Sequence, residues 1–510
     1  MPGPVTARQI PNRVMLGVML ASALFLFLQT FILPGVPKIA NGDQGIHLSL
    51  ASRMLDGQKI YRDFDHFPLP GTELIYFTLF KIFGVRAWIA PVMLILIGVS
   101  MTWVSIRISA GIMSGPIVFL PGLLFLVLPF SGFLDATHHW YSMLAGMAGL
   151  LLALERRTTR GLIGSGLLWG VAACFSQSAL VGAMGILAFL FWANVTRAES
   201  KRSLLRKVAC FLGSLVSALV LFNAYFVWEA GFRRFFGDTV VFLFRYYSAD
   251  SFNQAWAYMA DPPPLRIYSE WPDVATFLLI HLIVPLVYLL FMVRYRRERR
   301  LHPDVPWDRL LLIAFTGLFL FLGTIHSAGF MRMYVISFPA LILVAWFLNA
   351  NLKSEVFLLR SLWALALVLA VARPVIAQTR WNKFLSLPTG YTAFSGYPAL
   401  YEKCKWVSER TRPGDYFLDD PQICFALRLR DPSRVPFLRP TDYTRPEQVE
   451  NAVRSLKRQH VNFVGWYASL DDEIVDPSGD HLAPLRAYLR GHYHLAHTFS
   501  NGDEMWQLNQ

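Results

Sequence analysis

Apolar runs of membrane-spanning length recur along the first three quarters of this 510-residue chain, and they constrain its fold more than any other feature. A helix needs roughly 17–25 apolar residues to cross a bilayer. Residues 14–34, 87–106, 115–133, 207–228, 273–293, 309–325, 333–349 and 356–373 meet or nearly meet that need. Shorter runs at 138–154, 161–176 and 178–194 alternate with polar breaks. Composition agrees, with 16% charged residues against about 25% in a soluble domain. The first run is too long for a signal-peptide core, and no small-residue cleavage site closes it, so it reads as a retained helix.

The net charge of +13 invites a nucleic-acid reading, but its placement argues against one. Basic residues gather at Arg8 and Arg13, at Arg156, Arg157 and Arg160, at Arg197, Lys201, Arg202, Arg206 and Lys207, and at Arg294, Arg296, Arg297, Arg299 and Arg300. The intervening gaps near 134–137, 177 and 326–332 hold a single Arg. This is the positive-inside pattern, a topology signal. As a helix, segment 69–84 reaches only ~24 Å, short of a ~30 Å hydrocarbon core. Reading it as re-entrant or interfacial keeps the three inner clusters on one side, although Lys81 and Arg86 pull the other way. About eleven spans follow, with the N-terminus cytoplasmic and residues 35–86 and the C-terminus outside.

That first outer loop is rich in acids, His, Gly and Pro. Asp43 to Asp56 has helical periodicity, with Ile46, Leu50, Ala51, Met54 and Leu55 on one face and Ser49, Ser52, Arg53 and Asp56 on the other. Asn41 or Asp43 is placed to cap its start and Gly57 to end it. Such a helix is expected to lie along the membrane surface.

The order "GDQGIHLSLASRMLDGQ", then "IYRDFDHFPLPG", then a short apolar helix ending "LFKIFG", resembles the first extracytoplasmic loop of the GT-C glycosyltransferase superfamily. Its bacterial protein mannosyltransferase and aminoarabinose transferase branch is the most similar. The match covers the order of elements over about the first 110 residues and is looser beyond. It implies a GT-C fold, a polyprenyl-phosphate sugar donor, inversion at the anomeric carbon, and Asp43 as the loop-borne acid. One departure is the stretch Phe175-Ser176-Gln177-Ser178, where relatives often carry a basic residue.

The chemistry fits independently. An acceptor hydroxyl needs a carboxylate to take its proton during attack, and a helix N-terminus favours negative charge there; a plain N-cap role for Asp43 stays open beside this. Asp63, Asp65 and His66 sit in a Pro-limited turn, either binding acceptor and orienting Asp43 or forming an ordinary solvated loop. His138 and His139 open a helix in "DATHHWYS"; adjacent positions on a helix diverge, so at most one is expected to reach a site. They read as substrate contacts, as metal ligands with Asp43 or Asp135, or as part of an interfacial belt with Trp140. Arg332, with Tyr334 in "RMY", stands alone at an outer mouth, as a donor-phosphate ligand or a snorkelling Arg. Arg233, Arg234, Arg245 and Arg266 occupy the outer loop 229–272; at least one is expected to face phosphate without the sequence choosing which, and Arg245 is counted among the substrate-binding candidates. No clean ligand set lies on a single element, so no metal site is assigned, although a divalent metal remains compatible.

The composition divides the chain into 1–376, a transmembrane domain carrying loop 35–86, and 377–510, a polar C-terminal α/β domain outside the membrane. In the latter, 398–411 and "PEQVENAVRSLKRQ" read as helices. "YFLD", "VPFL" and "NFVGWYA" read as strands, and "YHLAHTF" and "EMWQLN" flank a hairpin turn. Cys404 and Cys424 could form a disulfide if that domain is extracytoplasmic, and the sequence does not show whether they meet.

The whole predicts a mainly α, polytopic membrane bundle of GT-C type. The expected activity is transfer of a sugar from a polyprenyl-phosphate donor to a lipid, glycan or protein acceptor outside the cytoplasm, in a bacterial inner membrane. A transporter or flippase of lipid-linked sugars is the alternative, disfavoured by the absence of an internal repeat and by few intramembrane charges.

Overall fold

The computed structural model describes residues 10–40, 42–156, 158–198, 200–248, 253, 263, 270–325, 329–349, 353–395, 398–439, 441, 443–472 and 479–509. Asn41, Arg157, Arg266 and His326 lie outside the described residues.

In chain order the helices are α1 (Asn12–Thr30), α2 (Asp43–Leu55), α3 (Gly71–Phe83), α4 (Ile89–Ala110), α5 (Leu120–Phe125), α6 (His138–Glu155), α7 (Thr159–Phe175), α8 (Ala179–Arg197), α9 (Lys201–Ala230) and α10 (Phe232–Phe236). They continue as α11 (Trp271–Glu298), α12 (Trp307–Thr324), α13 (Phe330–Ile336), α14 (Phe338–Phe347), α15 (Lys353–Arg380), α16 (Pro398–Ser408), α17 (Pro421–Leu427), α18 (Pro446–Gln459) and α19 (Ala483–His492). Two compact units emerge. One holds the described parts of Met1–Gln29, Met93–Asn223 and Gln254–Ala377; the other holds those of Thr30–Val92, Ala224–Asn253 and Gln378–Gln510. Residues 35–86 thus group with the C-terminal residues.

The first unit is a helical bundle. Among the described residues, α1, α4, α8, α9, α11, α12 and α15 are long and apolar enough to cross a membrane. The pair α13 and α14, bent by 56°, makes an eighth if it counts as one span. At that bend the Ser337 hydroxyl donates to the Tyr334 carbonyl (2.6 Å) and Pro339 opens the next helix, two ordinary causes of a kink. The sequence leads to eleven spans, and the difference lies in three elements that are helical but shorter or more polar. Pro116–Phe130 is built from a 3₁₀ turn, α5 and a π-helical turn containing Pro129, α6 carries His138, His139 and Glu155 at its ends, and α7 has 17 residues. Leu16, Leu20 and Leu24, spaced one helical turn apart on α1, are each about 60% exposed, which suits contact with lipid chains rather than water.

Small residues set the packing inside the bundle. Gly166 and Gly170 of α7, four apart, face α9; a Cβ on Gly170 would fall 2.6 Å from the Leu215 carbonyl oxygen. This is the close backbone approach that small residues permit between membrane helices. Because the obstacle is backbone, Gly170→Val must push α7 from α9. We expect a lower thermal unfolding temperature in detergent, by about 1–3 kcal/mol of lost stability or more. A buried arginine provides the polar tie. Arg373 of α15 donates to the Val127 and Pro272 carbonyls (2.6 and 3.1 Å), the Thr276 hydroxyl (2.7 Å) and the Asp273 carboxylate (2.9 Å).

In the second unit, strands β1 (Phe31–Ile32) and β2 (Val36–Pro37) form a small hairpin, as do β3 (Lys383–Leu387) and β4 (Gly390–Phe394). A four-stranded mixed sheet follows, ordered β5 (Phe417–Leu418), β6 (Phe463–Trp466), β8 (Glu504–Leu508) and β7 (Tyr493–Thr498), with β5 and β6 parallel. Helices α16 and α18 and the β7–β8 hairpin fall where the sequence puts them, whereas "VPFL" is not a strand. Ile39 joins the core of Leu387, Phe394, Cys404, Phe417 and Met505, and its amide donates to the Ala393 carbonyl (3.0 Å). Cys404 and Cys424, whose pairing the sequence leaves open, are buried free thiols; Cys424 Sγ contacts the Phe417 carbonyl (3.7 Å).

Candidate active site

Asp43 is the first residue of α2, entered through Gly42 at φ 57°, a setting glycine adopts without strain. Asp43 therefore lies inside the first turn rather than capping it, and it is half-buried. Beyond it the helix is held by packing and by a buried arginine. A Cβ on Gly45 would sit 2.6 Å from the Gln422 Cβ of α17. Arg53 donates to Gln58 (2.7 Å), the Ser433 carbonyl (2.9 Å) and Asp431 (3.4 Å), with its guanidinium over the Phe64 ring. Burial pushes the Asp431 carboxyl up, partly offset by Arg53 and by Ser433. Of the residues read as its polar face, Ser49 and Arg53 are buried, Arg53 against Asp431 and Ser433, while Ser52 is half-buried and Asp56 exposed.

His47, one turn after Asp43, hydrogen-bonds through Nδ1 to Glu73 Oε1 in the first turn of α3. His66 Nε2 lies 3.0 Å from the same oxygen. Burial alone would lower the His47 imidazole, but the Glu73 charge and hydrogen bond, with Asp43, outweigh it and raise it. Glu73 is fully buried, which would raise its carboxyl, yet the two imidazoles hold it well below the usual carboxylate range. His66 is therefore part of a buried cluster rather than of a solvated turn.

Asp63 accepts from the Lys59 amide (2.7 Å) and pairs with Arg62 (3.1 Å), closing the turn locally. Asp65 has a different role. Its carboxylate meets Arg445 (3.3 Å), Arg434 (3.4 Å) and Arg234 (3.6 Å) and accepts from Gln448 (3.0 Å). A cavity of about 740 Å³ opens there, lined by Arg233, Arg234, Arg434, Arg445 and Arg454 with Asp65, Asp238 and Glu447. Burial, with Asp65 nearby, pushes the Asp238 carboxyl up to about 7 against the pull of Arg445 and Arg234. Five arginines facing three carboxylates leave a positive surplus, which attracts anions. Arg245, singled out from sequence, is exposed over the Tyr246 ring (5.5 Å) and does not line this cavity.

The remaining candidates belong to the bundle unit. His138 and His139 open α6 with ring centroids 3.9 Å apart, so both rings lie side by side. This corrects the expectation that adjacent histidines diverge; at the first helical residue no preceding turn restricts the side chain. His139 also lines a small pocket with Ser142, Ser176, Ser178 and Thr324. Arg332 is half-buried in α13, which is helical where a loop is expected. Tyr334 is buried against Gly132 and Phe330.

His47, Glu73, Arg434, Arg445 and Arg373 are absent from the sequence candidates. Two of them carried a usable signal: Glu73 is an acid inside an apolar helix and Arg373 a base inside an apolar run. The tail arginines carried none, since nothing local links them to Asp65.

No protein-family model matches the sequence, and no curated protein matches it. Solved structures do. The chain is similar to ArnT from Cupriavidus metallidurans in the apo state over 98% of each chain, with 13% identity and a TM-score of 0.59. It is also similar to the oligosaccharyltransferase AglB from Archaeoglobus fulgidus, solved with an inhibitory peptide and a dolichol-phosphate, at 12% identity and a TM-score of 0.53; 98% of this chain and 74% of that one are covered. A complex of the Archaeoglobus fulgidus oligosaccharyltransferase with Zn and sulfate matches at 11% identity and 0.51, covering 89% and 67%. These are GT-C superfamily proteins, and the fold described above is of GT-C type: a polytopic helical bundle with a small C-terminal α/β domain.

Proposed function

We propose that this chain is an integral-membrane glycosyltransferase that moves a sugar from a polyprenyl-phosphate donor to a lipid, glycan or protein acceptor on the outer face of a bacterial inner membrane. Asp43 is the general base. The acceptor oxygen attacks the anomeric carbon and passes its proton to the Asp43 carboxylate. The bond from that carbon to the phosphate oxygen breaks with the electron pair leaving on the lipid phosphate, so configuration inverts. One observation carries the reading: a carboxylate at the head of a loop helix held through Gly45, His47 and Arg53, within a GT-C fold. A base held still by its surroundings needs little reorganisation as the proton moves. A GT-C protein bound to dolichol-phosphate supports a lipid-phosphate donor. Arg332 is proposed as a phosphate ligand of the bundle unit, and the arginine-lined cavity of the other unit as an anion site in its own right, being of the size that small-molecule sites have, ~300–1,000 Å³. The basic clusters support a cytoplasmic N-terminus and an outer tail.

Mass spectrometry of envelope glycolipids, glycans and glycoproteins from cells with and without the protein tests this. The expected result is one product lacking a single hexose, pentose or aminosugar. An unchanged envelope, together with movement of lipid-linked sugar across vesicles, would instead indicate a flippase.

A further inference from the structure

We propose that His47, His66 and Glu73 bind a zinc-class divalent ion that clamps α2 to α3. Three ligating side chains come from three separate places, the second turn of α2, the turn before α3 and the first turn of α3, yet their ligand atoms all lie within 4.8 Å of one another. His66 Nε2 stands 3.0 Å from Glu73 Oε1, close to the ~3.3 Å edge of a tetrahedron with ~2.0 Å metal bonds. The His47 and His66 rings are edge-to-face with centroids 5.8 Å apart. Two imidazoles converging on one tetrahedral ion hold their centroids roughly 5 Å apart, from the ~2.1 Å zinc–nitrogen bond.

Hydrogen bonding alone leaves this cluster incomplete. Both imidazoles face Oε1, while Glu73 Oε2 is fully buried and has no hydrogen-bond partner among the described residues. Buried carboxylate oxygens are rarely left that way. An ion held by His47 Nδ1, His66 Nε2 and both Glu73 oxygens uses all four donor atoms. Two imidazoles and one carboxylate suit zinc and its transition-metal neighbours rather than magnesium or calcium. The three side chains are 3%, 3% and 0% exposed, so the site is closed and the ion structural, without an open position for substrate. Its consequence falls on Asp43, which shares α2 with His47 one turn away.

Full-length protein in detergent, stripped with a chelator and then dialysed against zinc ion, tests this without any sugar substrate, so the result is independent of the glycosyltransferase reading. Elemental analysis is expected to give about one zinc per chain more in wild type than in Glu73→Gln or His47→Ala, and zinc is expected to raise the melting temperature of wild type only. Should those variants fold poorly, His66→Cys retains a ligand. Loaded with cobalt ion, it is expected to show a thiolate-to-cobalt charge-transfer band that wild type lacks. Zinc content unchanged by His47→Ala and Glu73→Gln, or no such band in folded His66→Cys, overturns the site.

Discussion

Asp43→Asn should reduce sugar transfer by about 10²–10⁴-fold, the contribution expected of a positioned general base, while leaving expression and melting temperature near wild type. Asn keeps the shape and size of Asp but cannot accept the hydroxyl proton. Asp43 is half-buried at the mouth of α2, so the near-isosteric change is expected to leave the fold intact. Transfer would be followed in membranes through the product mass that distinguishes cells with and without the protein. Full transfer by Asp43→Asn removes Asp43 from the mechanism; parallel loss of fold and activity would make it a structural residue.

Arg53→Met is the second large expected effect, and it falls on stability. Arg53 and Asp431 are both buried, 8% and 6% exposed. Removing one partner strands the other charge, which typically costs about 3–5 kcal/mol. The deficit should depend on pH with a definite sign. The Asp431 carboxyl is already raised by burial in the folded protein, and Arg53 is what restrains that rise. A carboxyl raised on folding contributes stability at pH below its unfolded value and loses it as pH increases through the folded value. Without Arg53 that loss grows, so the variant should approach wild type in acid and fall furthest behind at pH 7–8. Melting temperatures across that range, read by thiol-reactive or tryptophan fluorescence, check it. Arg53→Met combined with Asp431→Leu should recover much of the loss at neutral pH, because neither charge is then stranded.

Much of the bundle is legible in the chain because lipid-length apolar runs and charge asymmetry are local signals. The same holds for α18 and for the β7–β8 hairpin, which announce themselves by period and turn chemistry. Arg53 shows where this fails. Its position on the helical wheel matches a solvated face, yet its partner Asp431 is 378 residues away, and only the tertiary fold covers it. His47 failed for the opposite reason. It sits between Ile46 and Leu48 in a helix, where a polar residue reads as incidental until α3 brings Glu73 to it. The arginines around Asp65 combine both problems, since they come from α10, from the stretch after α17 and from the head of α18.

The stitching of loop residues 36–39 and α2 onto β4 and α17 bears on how this chain can be engineered. Truncating the tail would strip α2, the helix carrying Asp43, of its contacts with Gln422, Asp431 and Ser433. Chimaeras must therefore transplant the first loop and the C-terminal residues as one cassette.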